Sequence, residues 1–316
     1  MVRSRASIAG AVRAWALLVA FAASAAPACS FQRNPGGQPA GGDGATGAGG
    51  RGFEGSGGAP PPMNSGRDGP LAAGCKKVDL VIAVDASSSM KEEMQALSSM
   101  VFPAMAEKLK AVGGGLQDFR VGVLSACPAP ADYRTRGAKT TDCQFAGGHV
   151  WMESSSPRLT EEFACVGDVY IGNDACTGDN DDEQPASAAA ASLEPPAATG
   201  PNAGFSRPDA LLVVMAITDE DEQPTPDRTA QQVHDRLVAA KGGAAGNLVF
   251  LGVGGSMSCM GAYGSAGHAA KLQAITDLFI ADKRGVFWDL CQGHLEDGLQ
   301  RAIDIVETAC GDFHID

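Results

Sequence analysis

Val78-Asp79-Leu80-Val81-Ile82-Ala83-Val84 runs directly into Asp85-Ala86-Ser87-Ser88-Ser89. An apolar, β-branched run bounded by polar residues reads as a strand buried on both faces, the habit of parallel sheets. Side chains just past the carboxyl end of such a strand stand where open α/β sheets place their ligands. Here they are one carboxylate and two hydroxyls, Asp85, Ser87 and Ser89, at D-x-S-x-S spacing. All three offer hard oxygens of the kind that Mg2+ or Mn2+ takes.

Outward from this stretch the chain alternates. Met90, Met94, Leu97, Val101, Met105 and Leu109 recur at helical spacing, and the methionines read as core packing. Pro103 should kink or interrupt that helix near Phe102. Residues 119–125 read as a second strand and 149–152 as a short third. Residues 127–180 are rich in Cys, Gly and Asp and read mostly as long loops, and the alanine-rich stretch 184–193 reads as a helix. Further strands are expected at 210–218, 247–253 and 285–290, with helices at 229–241, 268–280 and 295–308. Strands alternating with helices of this length imply βαβ units and an α/β fold: a doubly wound, mostly parallel sheet flanked by helices.

A second acidic stretch, Ile217-Thr218-Asp219-Glu220-Asp221-Glu222, closes the strand expected at 210–218. The plain reading of Asp219 is a loop or helix cap. The other is a carboxylate that faces Asp85 from a neighbouring strand end. Together the two stretches resemble the metal-ion-dependent adhesion site of von Willebrand factor A-type (vWA) domains, and the likeness spans nearly all of residues 75–316. The resemblance implies a Rossmann-like fold and a divalent cation, Mg2+ or Mn2+, held by Asp85, Ser87, Ser89 and Asp219. A threonine from an intermediate loop would complete the shell; Thr177 matches best, with Thr140, Thr141 and Thr160 as substitutes. The ion would keep much of its charge and take an acidic group from a partner.

The first 28 residues read as an export signal: Arg3, Arg5 and Arg13, then a short apolar run from Ala14, then small residues to Ala28. The 15 residues from Ala14 to Ala28 fall short of the ~20 that a membrane span needs. Cys29 after this run resembles a lipidated bacterial lipoprotein box, although Ala26-Pro27-Ala28 would equally suit ordinary signal-peptidase cleavage. Of the nine cysteines, removing Cys29 as a lipid anchor leaves eight, an even number suited to disulfides in an oxidising compartment. The vWA resemblance implies a Cys75–Cys310 staple across the domain ends. Cys165–Cys176 and Cys259–Cys291 are the most local further pairs. Residues 29–74 are mostly Gly, Pro and Ala and read as a flexible tether spanning roughly 35–40 Å, which leaves 75–316 as one domain.

The net charge is −13, from 37 acidic against 24 basic residues, which argues against a nucleic-acid surface. Other motifs are weaker. Residues 179–183 (Asp-Asn-Asp-Asp-Glu) lack the glycine and glutamate of a calcium loop. The Gly252–Ser256 stretch is neither a P-loop nor a nucleophile elbow. The histidines show no zinc-protease spacing, and Trp288 reads as core. The function expected is therefore non-enzymatic, cation-assisted recognition of a protein or other extracellular ligand by an exported module, lipid-anchored in the bacterial envelope at the outer membrane or surface. A structural envelope protein that has lost the metal is the alternative. A metal-assisted hydrolase ranks lower, because no general base or nucleophile is recognisable beside the carboxylates.

Overall fold

The computed structural model describes residues 75–112, 115–127, 129–137, 141–168, 183–222, 229–261 and 263–313. All lie within one compact unit, Asn64–Asp316. Cys29, Cys176, Thr140 and Thr177, and with them the signal, tether and 179–182 readings, fall outside the described residues.

Strand β1 (Lys77–Val84) is the predicted apolar run, and it is flanked on both sides. It pairs in parallel with β2 (Asp118–Ser125) on one side and β4 (Leu211–Ile217) on the other. Beyond β4 come β5 (Leu248–Gly254) and β8 (Gly285–Asp289), also parallel. The short β3 (Met152–Glu153) closes the β2 edge antiparallel. The order is thus β3-β2-β1-β4-β5-β8. The chain winds one way from β1 through β2 and the other way from β4 through β8, so the winding reverses between β1 and β4. That crevice, at the carboxyl ends of the two strands, is where this architecture puts ligands.

Alternation along β1 feeds two cores. Val78, Leu80, Ile82 and Val84 belong to one cluster with Met94, Phe102, Met105, Phe163 and Ile303. The helices on that face are α1 (Lys91–Ala96), α2 (Phe102–Ala111), α3 (Leu159–Gly167) and α7 (Leu295–Asp312). Val81 and Ala83 point the other way, into a cluster with Ala189, Val233, Leu237, Leu272 and Phe279. There the helices are α4 (Pro185–Ser192), α5 (Ala230–Ala239) and α6 (Ala270–Ala281). The sheet is therefore covered on both faces: an α/β, doubly wound, mostly parallel architecture.

The helix after β1 is interrupted next to Phe102, as expected of Pro103. It breaks into α1, a π-helical segment at Leu97–Val101, and α2. Pro103 has no N–H to offer the carbonyl four residues back, and the register slips. The Phe102 N–H then bonds to the Leu97 carbonyl, five residues earlier. Helix α5 starts as the sequence suggests, since Thr229 and Gln232 form a reciprocal capping box. Helix α3 lies where loops were expected. Trp288 is buried, with its indole N–H donated to the Gly293 carbonyl.

Three disulfides are described. Cys75 joins Cys310 and Cys259 joins Cys291, the pairs named above. The expected Cys165–Cys176 pair is corrected: Cys165 is bonded to Cys143. The turn of α3 carrying Cys165 packs against a loop that a bridge between Arg136 and Asp142 folds back. This brings the two Cα atoms to 5.6 Å. Cys127 is also disulfide-bonded.

Candidate metal centre

The site is built from the ends of β1 and β4. Parallel pairing carries past the strands, because the Asp85 N–H bonds to the Ile217 carbonyl at 2.9 Å. This aligns Asp85 with the end of β4 and leaves Thr218 and Asp219 beside it. Asp85 is fully buried. One of its oxygens accepts the Ser87 N–H at 2.8 Å, an Asx-type turn that swings the chain back over the strand end. The other accepts the Thr218 hydroxyl at 2.8 Å. Ser87 Oγ and Ser89 Oγ lie 2.7 Å apart, and Ser89 Oγ donates to Asp219 Oδ1 at 3.1 Å. Asp85, Ser87, Ser89 and Asp219 thus form one continuous hydrogen-bonded set.

The electrostatics are those of a site that wants positive charge. Burial pushes the Asp85 carboxyl up, against the opposing pull of its bonds from Ser87 and Thr218. Asp219 is pushed up to about 7, chiefly by burial and then by the neighbouring Asp85 charge. Two carboxylates and two hydroxyls make a donor set that fits a hard divalent ion. Among the described residues no three His, Cys, Asp or Glu side chains stand together as a metal cluster, so the neutral hydroxyls are essential to any such shell. Bound there, a cation would supply a positive centre for an acidic ligand.

The threonine position is not filled by the described substitutes. Thr160 is exposed in the first turn of α3, and the carbonyl of Thr141 accepts the Gly137 N–H. Neither makes a hydrogen bond to the four site residues.

Two residues escaped the sequence reading. Thr218 looked like the last residue of an apolar strand, yet its hydroxyl bridges Asp85 and the Glu220 N–H at 3.0 Å. Its signal was a lone hydroxyl residue between an apolar run and an aspartate. Glu93, which the sequence did not single out, is buried in α1.

The rim of the site includes a small hairpin, β6 (Cys259–Gly261) and β7 (Gly264–Ala266), pinned by Cys259–Cys291. Just after it, the Gly267 N–H bonds to the Asp219 carbonyl at 2.6 Å. Gly255 permits this close approach, since a Cβ there would come within 2.1 Å of the Gly267 carbonyl.

No protein-family model matches this chain, and no curated protein matches it. Solved structures do. Proximal thread matrix protein 1 from the mussel byssus is similar in one crystal form at 15% identity and a TM-score of 0.42, over 72% of this chain and 48% of that one. A second structure of it, with a zinc-occupied MIDAS motif, matches at 14% identity and 0.43, over 76% of this chain and 47% of that one. The chain thus spans about half the length of the mussel protein. The manganese-loaded TRAP protein of Plasmodium vivax is similar at 12% identity and 0.36, over 75% of this chain and 74% of that one. At these values the likeness is remote, and the architecture rests on strand order and register.

Proposed function

We propose that this chain is a vWA-type binding module that recognises a protein or other extracellular ligand through a divalent cation, Mg2+ or Mn2+, without chemical turnover. The observation that carries the reading is the hydrogen-bonded convergence of Asp85, Ser87, Ser89 and Asp219 at the β1/β4 switch point. Two of the four donors are neutral hydroxyls, so a bound ion keeps charge to offer an acidic group of a partner. Thr177 is the proposed completing ligand. The manganese and zinc named for the structural relatives accord with a divalent ion and leave its identity to measurement.

The module is proposed to work outside the cell, exported and held to the bacterial envelope by a lipid on Cys29. The disulfides support an oxidising compartment. Binding of a cation is tested by titrating Mg2+ and Mn2+ into the protein and its Asp85→Ala variant. Recognition is tested by whether chelator releases an envelope or host-surface protein captured by the wild type.

One observation favours a second reading, a structural envelope protein with no metal. Both Asp85 oxygens are already satisfied by Ser87 and Thr218. On that reading wild type and Asp85→Ala give the same, featureless titration.

A further inference from the structure

Helices α4 and α6 are not capped by their own first residues. Gln184 precedes α4 and Ala269 precedes α6, and neither side chain bonds to the turn it begins. In both cases the acceptor comes from the acidic stretch after β4. Glu222 is fully buried and accepts the Ala186 N–H at 2.9 Å and the Ser187 N–H at 2.8 Å. Asp221 accepts the Lys271 N–H at 2.8 Å and the Leu272 N–H at 3.3 Å. A residue at the helix's own start would serve capping alone, as Thr229 does for α5. Here two neighbouring carboxylates of one short loop reach helices at least 35 residues away along the chain.

Both capped turns are themselves tied to the strand ends that form the cation centre. The Gln184 N–H, just ahead of α4, bonds to the Ala126 carbonyl at 2.8 Å, and the Ala126 N–H bonds to the carbonyl of Val84 at 2.9 Å, next to Asp85. Ahead of α6, the Gly267 N–H holds the Asp219 carbonyl at 2.6 Å, and the Ala269 N–H bonds to the Gly255 carbonyl at 2.9 Å, just past β5. Asp219 is thus braced towards β1 through Glu222 and towards β5 through Asp221. We infer that Glu222 and Asp221 are positioning residues that fix the separation of Asp219 from Asp85, and thereby make the centre select the small Mg2+ over the larger Ca2+. This rests on the cation reading given above. Mg2+ takes oxygens at about 2.0–2.1 Å in near-octahedral order, whereas Ca2+ takes them at about 2.3–2.6 Å with looser geometry. A pair of carboxylates braced from both sides resists the opening of a few tenths of an ångström per ligand that Ca2+ needs. Neither Glu222 nor Asp221 is a ligand; each acts through the loop that carries Asp219.

The test loads wild type, Glu222→Gln, Asp221→Ala and Arg207→Met with Mn2+ and displaces it with Mg2+ or with Ca2+, following bound Mn2+ by water-proton relaxation. Glu222→Gln keeps the shape but turns one acceptor into a donor facing a helix N–H. Asp221→Ala, at a half-buried position, removes the other brace and carries the test by itself. Arg207→Met removes ion pairs of Asp79 and Asp118, which lie away from the centre, and shows what loss of stability alone does. Wild type is expected to release Mn2+ to Mg2+ at about tenfold or more lower concentration than to Ca2+, and both loop variants to narrow that gap about tenfold. Arg207→Met is expected to keep the wild-type gap. If the loop variants keep the gap while melting earlier, the two carboxylates are caps alone and the inference is overturned. A wild type that binds Mn2+ but releases it equally to both ions also overturns it and leaves the centre standing. A wild type that binds no Mn2+ overturns the cation reading itself, and this inference with it.

Discussion

The Thr218 hydroxyl donates to Asp85 Oδ2 at 2.8 Å and accepts the Glu220 N–H at 3.0 Å, so one β4 side chain fixes the β1 carboxylate and the start of the acidic loop together. Thr218 is fully buried. Thr218→Val keeps its volume and leaves a buried carboxylate oxygen and an amide unpaired, a loss of about 1–3 kcal/mol in urea unfolding. The same variant should bind Mn2+ more weakly, because Asp85 is then free to turn.

The metal-free protein should lose stability as pH rises from about 4 towards 7. Asp219 and Glu93 are both pushed up to about 7 by burial, so between their ordinary values and 7 the folded state holds more protons than the unfolded one. Stability must fall with pH across that window and level off above it. Melting temperatures in chelator should therefore decline from pH 5 to pH 7. Saturating Mn2+ should flatten or reverse the slope, since the ion takes the place of the protons.

The opposite end of the sheet should be separable from the site. Arg207 bonds to the buried Asp79 and to Asp118 near the amino ends of β1 and β2. Asp79 and Asp85 are six positions apart, roughly 20 Å along an extended strand. Arg207→Met leaves Asp79 buried without its partner and should cost about 3–5 kcal/mol. Mn2+ affinity of the folded variant, measured well below its unfolding midpoint, should be unchanged.

Cys75–Cys310 closes a loop of 235 residues, the largest constraint described on the unfolded chain. Its removal by paired alanine substitution should cost up to about 5 kcal/mol by loop entropy. Removing Cys259–Cys291, which spans 32 residues, releases less chain entropy but frees the hairpin above Glu93. Its distinguishing effect should be faster hydrogen exchange at residues 257–267.

The legible parts of this protein are those whose signal is local. β1 announced itself because burial on both faces makes a parallel strand a continuous apolar run, and Asp85, Ser87 and Ser89 follow it at fixed spacing. Asp219 was legible for the same reason at the end of β4. Helix α3 was hidden because Leu159, Phe163 and Val166, its buried stripe, sit in a stretch whose Cys, Gly and Asp content suggests loops. Cys143–Cys165 was illegible because it depends on where α3 docks, and chain proximity favoured Cys176. The burial of Glu93 was not legible, because an acidic residue in a helix normally faces water and the hairpin against it arrives about 170 residues later in the chain.

The central claim is that Asp85, Ser87, Ser89 and Asp219 hold one divalent cation. Calorimetric titration of Mn2+ into wild type and into Asp85→Ala, both checked as folded by circular dichroism, tests it most directly. The account predicts one ion per wild-type chain and a loss of about 10–100-fold or more in the variant. A wild-type protein that binds no Mn2+, or a folded Asp85→Ala that binds it equally well, would contradict it.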